Sequence, residues 1–367
     1  MRKKNKRPHI AFIGLRGIPS VIGGLERLTE NIAPLLVKEG YCVTVYGRGE
    51  YTKGVRQYKG VSQINIPTPG SKHLETVTYS LLATLHATKA DADIVHYYGT
   101  TPGIFSWIPR LAGKKTEVSF HGYEWKRPDW SPPIRAILRL LEPIAVYAPT
   151  AIYADSLAQK KYVQNKYKRN ATYLPNFTLP PKKPVTGILK KHGLKPKSYV
   201  LYVGRITPTK GIETLIEASQ SLPDSTPLVI AGSAIKRDDY LNKLKKNASK
   251  NTVFTGYIPP EELPELYENA LLLVLPSLTA EGLPTSVIEA MYYGTCPLVS
   301  EVEGNTEAIG DCGITFKAAN ARDLSEKITS ILTNKKKAQK IGEKAKKRAR
   351  TEYSVENALK EFIKTHT

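Results

Sequence analysis

Short apolar runs rich in β-branched residues alternate along this chain with longer stretches whose apolar positions recur every three to four residues. These are the signatures of buried strands and of amphipathic helices. Residues 10–14, 42–46, 94–98, 117–120 and 151–154 read as strands, with helices at 25–38 and 74–90 between them. A second series begins at 199–204 and runs through 228–232, 253–256, 271–276 and 296–300, alternating with helices such as 211–220 and 285–293. Alternation of this kind predicts parallel sheets flanked by helices, and its repetition predicts two doubly wound units.

Between the two series, Pro175, Pro180, Pro181, Pro184 and Pro196 crowd a lysine-bearing stretch with the composition of an interdomain linker. The expected division is an N-terminal Rossmann-like domain over 1–180, a C-terminal one over 181–350, and a terminal helix in 351–367 able to pack back on the first. A length of 367 residues, 41% of them hydrophobic and 24% charged, is globular and too long for one core, so two domains and a cleft are expected.

Cys42, Cys296 and Cys312 form no CxxC pair and leave an odd thiol, which argues against a disulfide framework or a thiolate metal site and for a reducing cytoplasm. The basic start runs into an apolar stretch at 10–14 that is shorter than the roughly 7–15 residues of a signal peptide's apolar region. No uninterrupted apolar stretch approaches the roughly 20 residues needed to cross a bilayer. The expectation is a cytoplasmic protein, either free or peripheral on the cytoplasmic face of a membrane. A formal charge of +21 implies an anionic partner: nucleic acid, anionic lipid or a phosphorylated substrate. Much of that charge falls at 243–250 and 335–350, where a solvated helix face accounts for it.

Three segments carry candidate chemistry. The first strand ends in Gly14-Leu-Arg-Gly-Ile-Pro-Ser20, followed by Gly23, Gly24 and Glu26 and a long helix. Such a turn can face an anion or a sugar hydroxyl with backbone amides, and it can equally be a tight strand-to-helix connection. Glu26 could orient hydroxyls, or be a first-turn glutamate favoured by the helix dipole. In the second unit, the strand at 199–204 runs into Arg205 and Lys210 beside a helix N-terminus, a plausible diphosphate clamp at the carboxyl end of a strand. The third segment, Glu281-Gly-Leu-Pro-Thr-Ser-Val-Ile-Glu289, follows a strand and opens a helix. Free amides between Leu283 and Ser286 would favour phosphate, and Glu281 could accept hydroxyl protons from a sugar.

In this order, these segments resemble the family 4 (group 1) retaining glycosyltransferases of GT-B fold, over nearly the whole chain. The stretch 14–26, with His121-Gly-Tyr-Glu-Trp-Lys-Arg127 and Tyr153-Ala-Asp-Ser156, is similar to rhamnosyltransferase-like enzymes of surface polysaccharide assembly. The resemblance implies an α/β fold of two Rossmann-like domains facing each other across a cleft. It implies that Arg205 and Lys210 bind the donor diphosphate, that Glu281 contacts the transferred sugar, that Glu289 holds the donor ribose and that His121 faces the donor sugar. Gly282, Leu283, Pro284 and Thr285 complete the donor set, and Gly23 and Gly24 match a loop near donor phosphate and acceptor. It further implies front-face transfer with retention, in which the leaving phosphate helps deprotonate the acceptor hydroxyl. No general base is therefore assigned, and positioning and charge stabilisation carry the chemistry. No cofactor is implied. The donor would be a hexose or deoxyhexose on UDP, GDP or dTDP, with base selection near Ser233 and Tyr257.

Arg16, Glu26, Glu124 and Asp129 are the candidates for acceptor contacts. Asp91-Ala-Asp93 has the DxD spelling of metal-dependent sugar transfer in another fold, but it lies in a polar turn before a strand and reads as structural. No other set has metal-ligand spacing, so metal independence is expected. The segment 133–144 sets Arg135 and Arg139 beside a broad apolar face, with Trp125, Lys126, Arg127 and Trp130 nearby. That surface could lie on anionic lipid and collect a lipid-linked saccharide or other glycan acceptor, or the helix could be buried against its own domain. A sugar-nucleotide epimerase or hydrolase on the same fold is the near rival. A basic nucleic-acid-binding protein is the distant one, favoured by charge and 21 tyrosines but lacking a recognition motif.

Overall fold

The computed structural model describes residues 7–19, 23–52, 54–68, 74–126, 130–179, 185–234, 238–279 and 282–366. The chain divides into two compact units. Unit 1 holds residues 1–176 together with 358–367, and unit 2 holds 177–357.

The unit 1 sheet contains β1 (His9–Ile13), β2 (Cys42–Arg48), β3 (Gln57–Tyr58), β4 (Val61–Ile66), β5 (Ile94–Tyr98), β6 (Lys115–Phe120), β7 (Ala151–Ala154) and β8 (Thr172–Tyr173), in the order β3-β4-β2-β1-β5-β6-β7-β8. Only the β3–β4 pair is antiparallel. The periodicity of the sequence does not mark β4 as a strand. Its run Val-Ser-Gln-Ile-Asn-Ile is half polar, and pairing with β2 decides its conformation. In the central strand β1, Ile10 to Ile13 are fully buried because helices cover both faces of a parallel sheet.

Unit 2 repeats the plan with β9 (Val200–Val203), β10 (Leu228–Ala231), β11 (Thr252–Gly256), β12 (Leu272–Leu275), β13 (Cys296–Ser300) and β14 (Ile314–Phe316), in the order β11-β10-β9-β12-β13-β14. In both sheets the chain reverses its direction of winding beside the first strand, between β1 and β5 and between β9 and β12. Open α/β sheets bind ligands at such a point, outside the carboxyl ends of the strands.

The last helix, Val355–Lys364, carries the chain back into unit 1. Its Phe362 is 2% exposed, with ring centroids 6.2 Å from Phe12, 5.8 Å from His96 and 6.3 Å from Tyr153. Burying such a ring is worth roughly 2–3 kcal/mol. The eight tyrosines at 46, 79, 97, 153, 199, 202, 267 and 353 are among the largest fully buried side chains. Much of the tyrosine content therefore sits in the cores, with its hydroxyls bonded to backbone carbonyls and buried side chains, instead of forming an aromatic surface.

Candidate active site

In unit 2, the turn after β9 is built by contacts only glycine permits. A Cβ on Gly232 would stand 1.8 Å from Gly204 O, so the turns after β9 and β10 touch backbone to backbone. The Ile206 amide donates to Ser233 O at 3.1 Å. From below, the fully buried Tyr202 donates its hydroxyl to Arg205 O at 2.7 Å, fixing the bend from which the Arg205 side chain leaves. Lys210 ends a 3-10 turn, Pro208–Lys210, and Gly211 follows at φ 63. A Cβ there would be 2.1 Å from Pro276 O. The Leu278 amide donates to Thr209 O at 2.9 Å, tying the loop after β12 to the loop that bears the two cations.

That second loop leads to helix Thr285–Tyr292, with Pro284 as its N-cap and no side-chain cap. Pro284 has no N–H. The donors at this N-terminus are therefore the Thr285 and Ser286 amides, since those of Val287 and Ile288 already bond Pro284 O. Gly282 and the buried Leu283 precede the cap. Glu281 lies outside the described residues. Glu289 is half-buried on this helix, and its Oε2 accepts from the Tyr267 hydroxyl at 2.9 Å. Tyr267 comes from helix Leu263–Asn269 and stacks on Tyr293, with centroids 5.9 Å apart. Nothing in the spacing of the sequence marks Tyr267 as the partner of Glu289.

In unit 1, Gly14 follows β1 at φ 111, and a Cβ would meet Tyr98 O at 2.4 Å, pressing this loop onto the end of β5. Tyr79 holds it from inside, accepting from the Gly14 amide at 3.2 Å and donating to Tyr46 O at 2.5 Å. Glu26 is 6% exposed, and its Oε1 accepts from the Arg16 amide at 3.1 Å and lies 3.5 Å from the Arg16 guanidinium. Gly23 caps helix Gly24–Lys38 at φ 122, and a Cβ would fall 1.9 Å from Glu26 Oε2. Glu26 thus braces the glycine loop, which leaves Arg16 as the more accessible of the two.

His121 follows β6 and Asp155 follows β7, so neighbouring parallel strands deliver them to the same edge. The His121 Nδ1 and Asp155 Oδ2 are 3.1 Å apart, and Asn176 donates to the same oxygen at 3.4 Å. A carboxylate there selects the tautomer with the proton on Nδ1 and leaves Nε2 as an acceptor. Among the described residues His121 Nε2 has no hydrogen-bond partner. The His121 ring packs on Tyr98, with centroids 5.5 Å apart. Asp155 belongs to the Tyr153–Ser156 motif, but only the fold shows that it orients His121. Glu124 stands in a 3-10 turn, Glu124–Lys126, with Oε1 3.6 Å from where a Gly99 Cβ would sit. Asp129 lies outside the described residues.

Asp93 is at the opposite edge, accepting from the His9 amide at 2.8 Å, while His9 Nδ1 contacts Asp91 O at 2.8 Å. The DxD spelling thus serves the turn from helix Leu74–Lys89 into β5 and ties it to the start of β1. Among the described residues no group of three or more His, Cys, Asp or Glu side chains is placed to hold a metal ion. No described helix is long and apolar enough to cross a membrane.

Comparison with known proteins bears on both units. Residues 186–348 match the family profile "Glycosyl transferases group 1", and residues 7–177 match a domain of unknown function, DUF1972. The O-antigen chain mannosyltransferase B of Escherichia coli is 33% identical over 151 residues, which cover 40% of this chain and 39% of the relative. An N,N'-diacetylbacillosaminyl-diphospho-undecaprenol alpha-1,3-N-acetylgalactosaminyltransferase of Campylobacter jejuni is 33% identical over 153 residues, again 40% of this chain and 39% of the relative. The aligned chain thus spans about two fifths of the length of these curated relatives. The structure of HepE of Anabaena in complex with UDP and glucose superposes with a TM-score of 0.81 at 17% identity, covering 98% of this chain and 99% of that one. The fold is GT-B.

Proposed function

We propose that this chain, whose unit 2 is a group 1 glycosyltransferase domain on a GT-B fold, is a retaining, metal-independent glycosyltransferase that moves a hexose or deoxyhexose from a nucleotide diphosphate to a saccharide acceptor. The observation that carries the reading is the joined pair of loops after β9 and β12, which sets Arg205, Lys210 and the Thr285–Ser286 amides at one switch point. Two cations and a helix N-terminus that no side chain caps suit a diphosphate and the charge that develops on it as the glycosidic bond breaks. Glu289, oriented by Tyr267, suits a ribose diol. In this scheme Glu281 and His121 attend the transferred sugar, and the leaving phosphate takes the acceptor proton.

The acceptor is assigned as a glycan or lipid-linked saccharide of cell-surface polymers, presented at the cytoplasmic face of a membrane. Support comes from the C. jejuni relative, whose name gives a diphospho-undecaprenol acceptor, and from the exposed basic and apolar face of unit 1. The UDP bound by HepE favours UDP as the nucleotide.

The test is a thermal-shift screen against UDP, GDP, dTDP and their sugars, with and without EDTA, followed by NMR of the product anomer. A rise with one nucleotide that is insensitive to EDTA and lost in Lys210→Ala supports the reading. No rise at saturating ligand overturns it. Turnover without added acceptor would point to a hydrolase or epimerase instead.

A further inference from the structure

The carboxyl end of β13 reaches the loop after β12 from a side not yet considered. Ser300, the last residue of β13, is fully buried, and its hydroxyl donates to Ser277 O at 2.6 Å. Leu275 O, 3.5 Å from the same hydroxyl, is the weaker contact. Asn305, on helix Glu303–Ile309 and 4% exposed, supplies the other end: its Nδ2 donates to Ser300 Oγ at 3.0 Å and lies 3.4 Å from Ser300 O. The orientation of the Asn305 amide follows from these partners, because Ser300 O only accepts and would repel the side-chain oxygen. With Ser300 Oγ accepting from Asn305, its own proton is directed to Ser277 O, and each bond polarises the next.

The bonds continue beyond Ser277. The amide of the next residue, Leu278, donates to Thr209 O at 2.9 Å, and Thr209 precedes Lys210. Residues 276–279 belong to no helix or strand, so their place is set by such contacts. The loop is gripped at two adjacent residues, by β13 through Ser277 O and by the cation-bearing loop through the Leu278 amide. The four residues before Ser300 in β13, Cys296-Pro-Leu-Val299, are apolar and buried. A hydroxyl and an amide in this setting are costly unless satisfied, and apolar residues of the same shape could fill the space at nearly equal stability. What the polar pair adds is a fixed position for the carbonyl it holds.

We propose that Asn305 and Ser300 are positioning residues of the donor site, which fix the 276–279 loop and, through the bond between Leu278 and Thr209, the placement of Lys210. Asn305 acts through Ser300 and not on the donor itself. The inference rests on the assignment of Lys210 to the donor diphosphate above, and it adds the end of β13 and the helix after it to the parts that orient that lysine.

Asn305→Asp is the informative variant, because aspartate keeps the shape of asparagine while its carboxylate has no proton to give Ser300. In the full-length protein, hydrogen exchange of the Leu278 amide, read by NMR, should accelerate about tenfold or more in Asn305→Asp and in Ser300→Ala, while the amides of β1 in unit 1 exchange as in the wild type. UDP affinity, read by calorimetric titration, should fall about tenfold in both, and Lys210→Ala should cost less in the Asn305→Asp protein than in the wild type, since a misplaced lysine has less to lose. Wild-type exchange and UDP affinity in Asn305→Asp, a rescue by shape alone, overturn the proposal. So does strict additivity of the Lys210 and Asn305 substitutions. If Asn305→Asp does not fold, Ser300→Ala gives the same readings, because alanine fits a site that holds a fully buried serine. A wild-type protein that binds no UDP sinks the donor-site reading, and the Leu278 exchange rates still decide whether Asn305 holds the loop.

Discussion

Both units use the same topology at their switch points and furnish it differently. In each, a glycine after the first strand presses on the end of a strand across the switch, Gly14 on Tyr98 O and Gly211 on Pro276 O. Unit 2 leaves Arg205, Lys210 and Glu289 half-buried beside a helix N-terminus that no side chain caps. Unit 1 consumes most of its polar groups internally, in Glu26 with Arg16 and in His121 with Asp155. Unit 2 thus gathers two cations beside a helix N-terminus at its switch point, while unit 1 spends two carboxylates on orientation.

The largest effects should separate the units by what is lost. Lys210→Ala should raise the donor dissociation constant about 100-fold, near 3 kcal/mol, by removing a charge-assisted contact. His121→Ala should lower kcat by about 10²–10³-fold and leave nucleotide affinity within about threefold. Calorimetric titration with the nucleotide beside steady-state kinetics checks both, and a His121 variant that loses nucleotide affinity instead would break the contrast. Asp155→Asn should lower kcat by about tenfold or more with KM little changed, because the amide cannot select the same tautomer.

Next in size is packing. Phe362→Ala should cost about 3 kcal/mol in urea unfolding by leaving a cavity among Phe12, His96 and Tyr153, again without weakening donor binding to unit 2. Gly211→Ala should cost about 2 kcal/mol, since its φ of 63 and the 2.1 Å approach to Pro276 O both penalise a side chain. It should weaken donor binding as well, because the same contact aligns Lys210; unchanged affinity would show that the two loops act independently.

The smallest effect is electrostatic and belongs to unit 1 alone. Glu117 is buried between His96, with Nδ1 2.9 Å from Oε2, and His366, with Nε2 2.9 Å from Oε1. Burial pushes the Glu117 carboxyl up, but the two imidazoles outweigh it and hold it down at about 2. Burial pulls His366 down while Glu117 more than compensates, so its value is raised above 6.5. Burial lowers His96, which stays neutral at neutral pH. The raised His366 contributes stability fully below pH 6.5 and loses it as pH rises through its folded value. The depressed Glu117 contributes above 4.5 and loses it as pH falls toward 2. His366→Gln should therefore flatten the decline in stability as pH rises above 6.5, measured by urea unfolding across pH. A parallel decline in wild type and variant would remove His366 from the account.

Much of this was legible beforehand because burial in a parallel sheet demands continuous apolar strands. β1, β5, β9 and β12 stand where apolar runs place them, while β4, half polar and stabilised by its neighbour β2, does not announce itself. The alternation of strand and helix by itself determined the α/β class, and the positions of Arg205 and Lys210 after β9 and of Glu289 on the helix after β12 followed from where strands end. Tertiary structure alone decided the partners: Tyr267 for Glu289, Asp155 for His121, and the uncovered stripe on helix Pro132–Tyr147. Local pattern encodes which residues are apolar and at what period, but a hydrogen bond between residues tens of positions apart exists only once the sheet order brings their strand ends together.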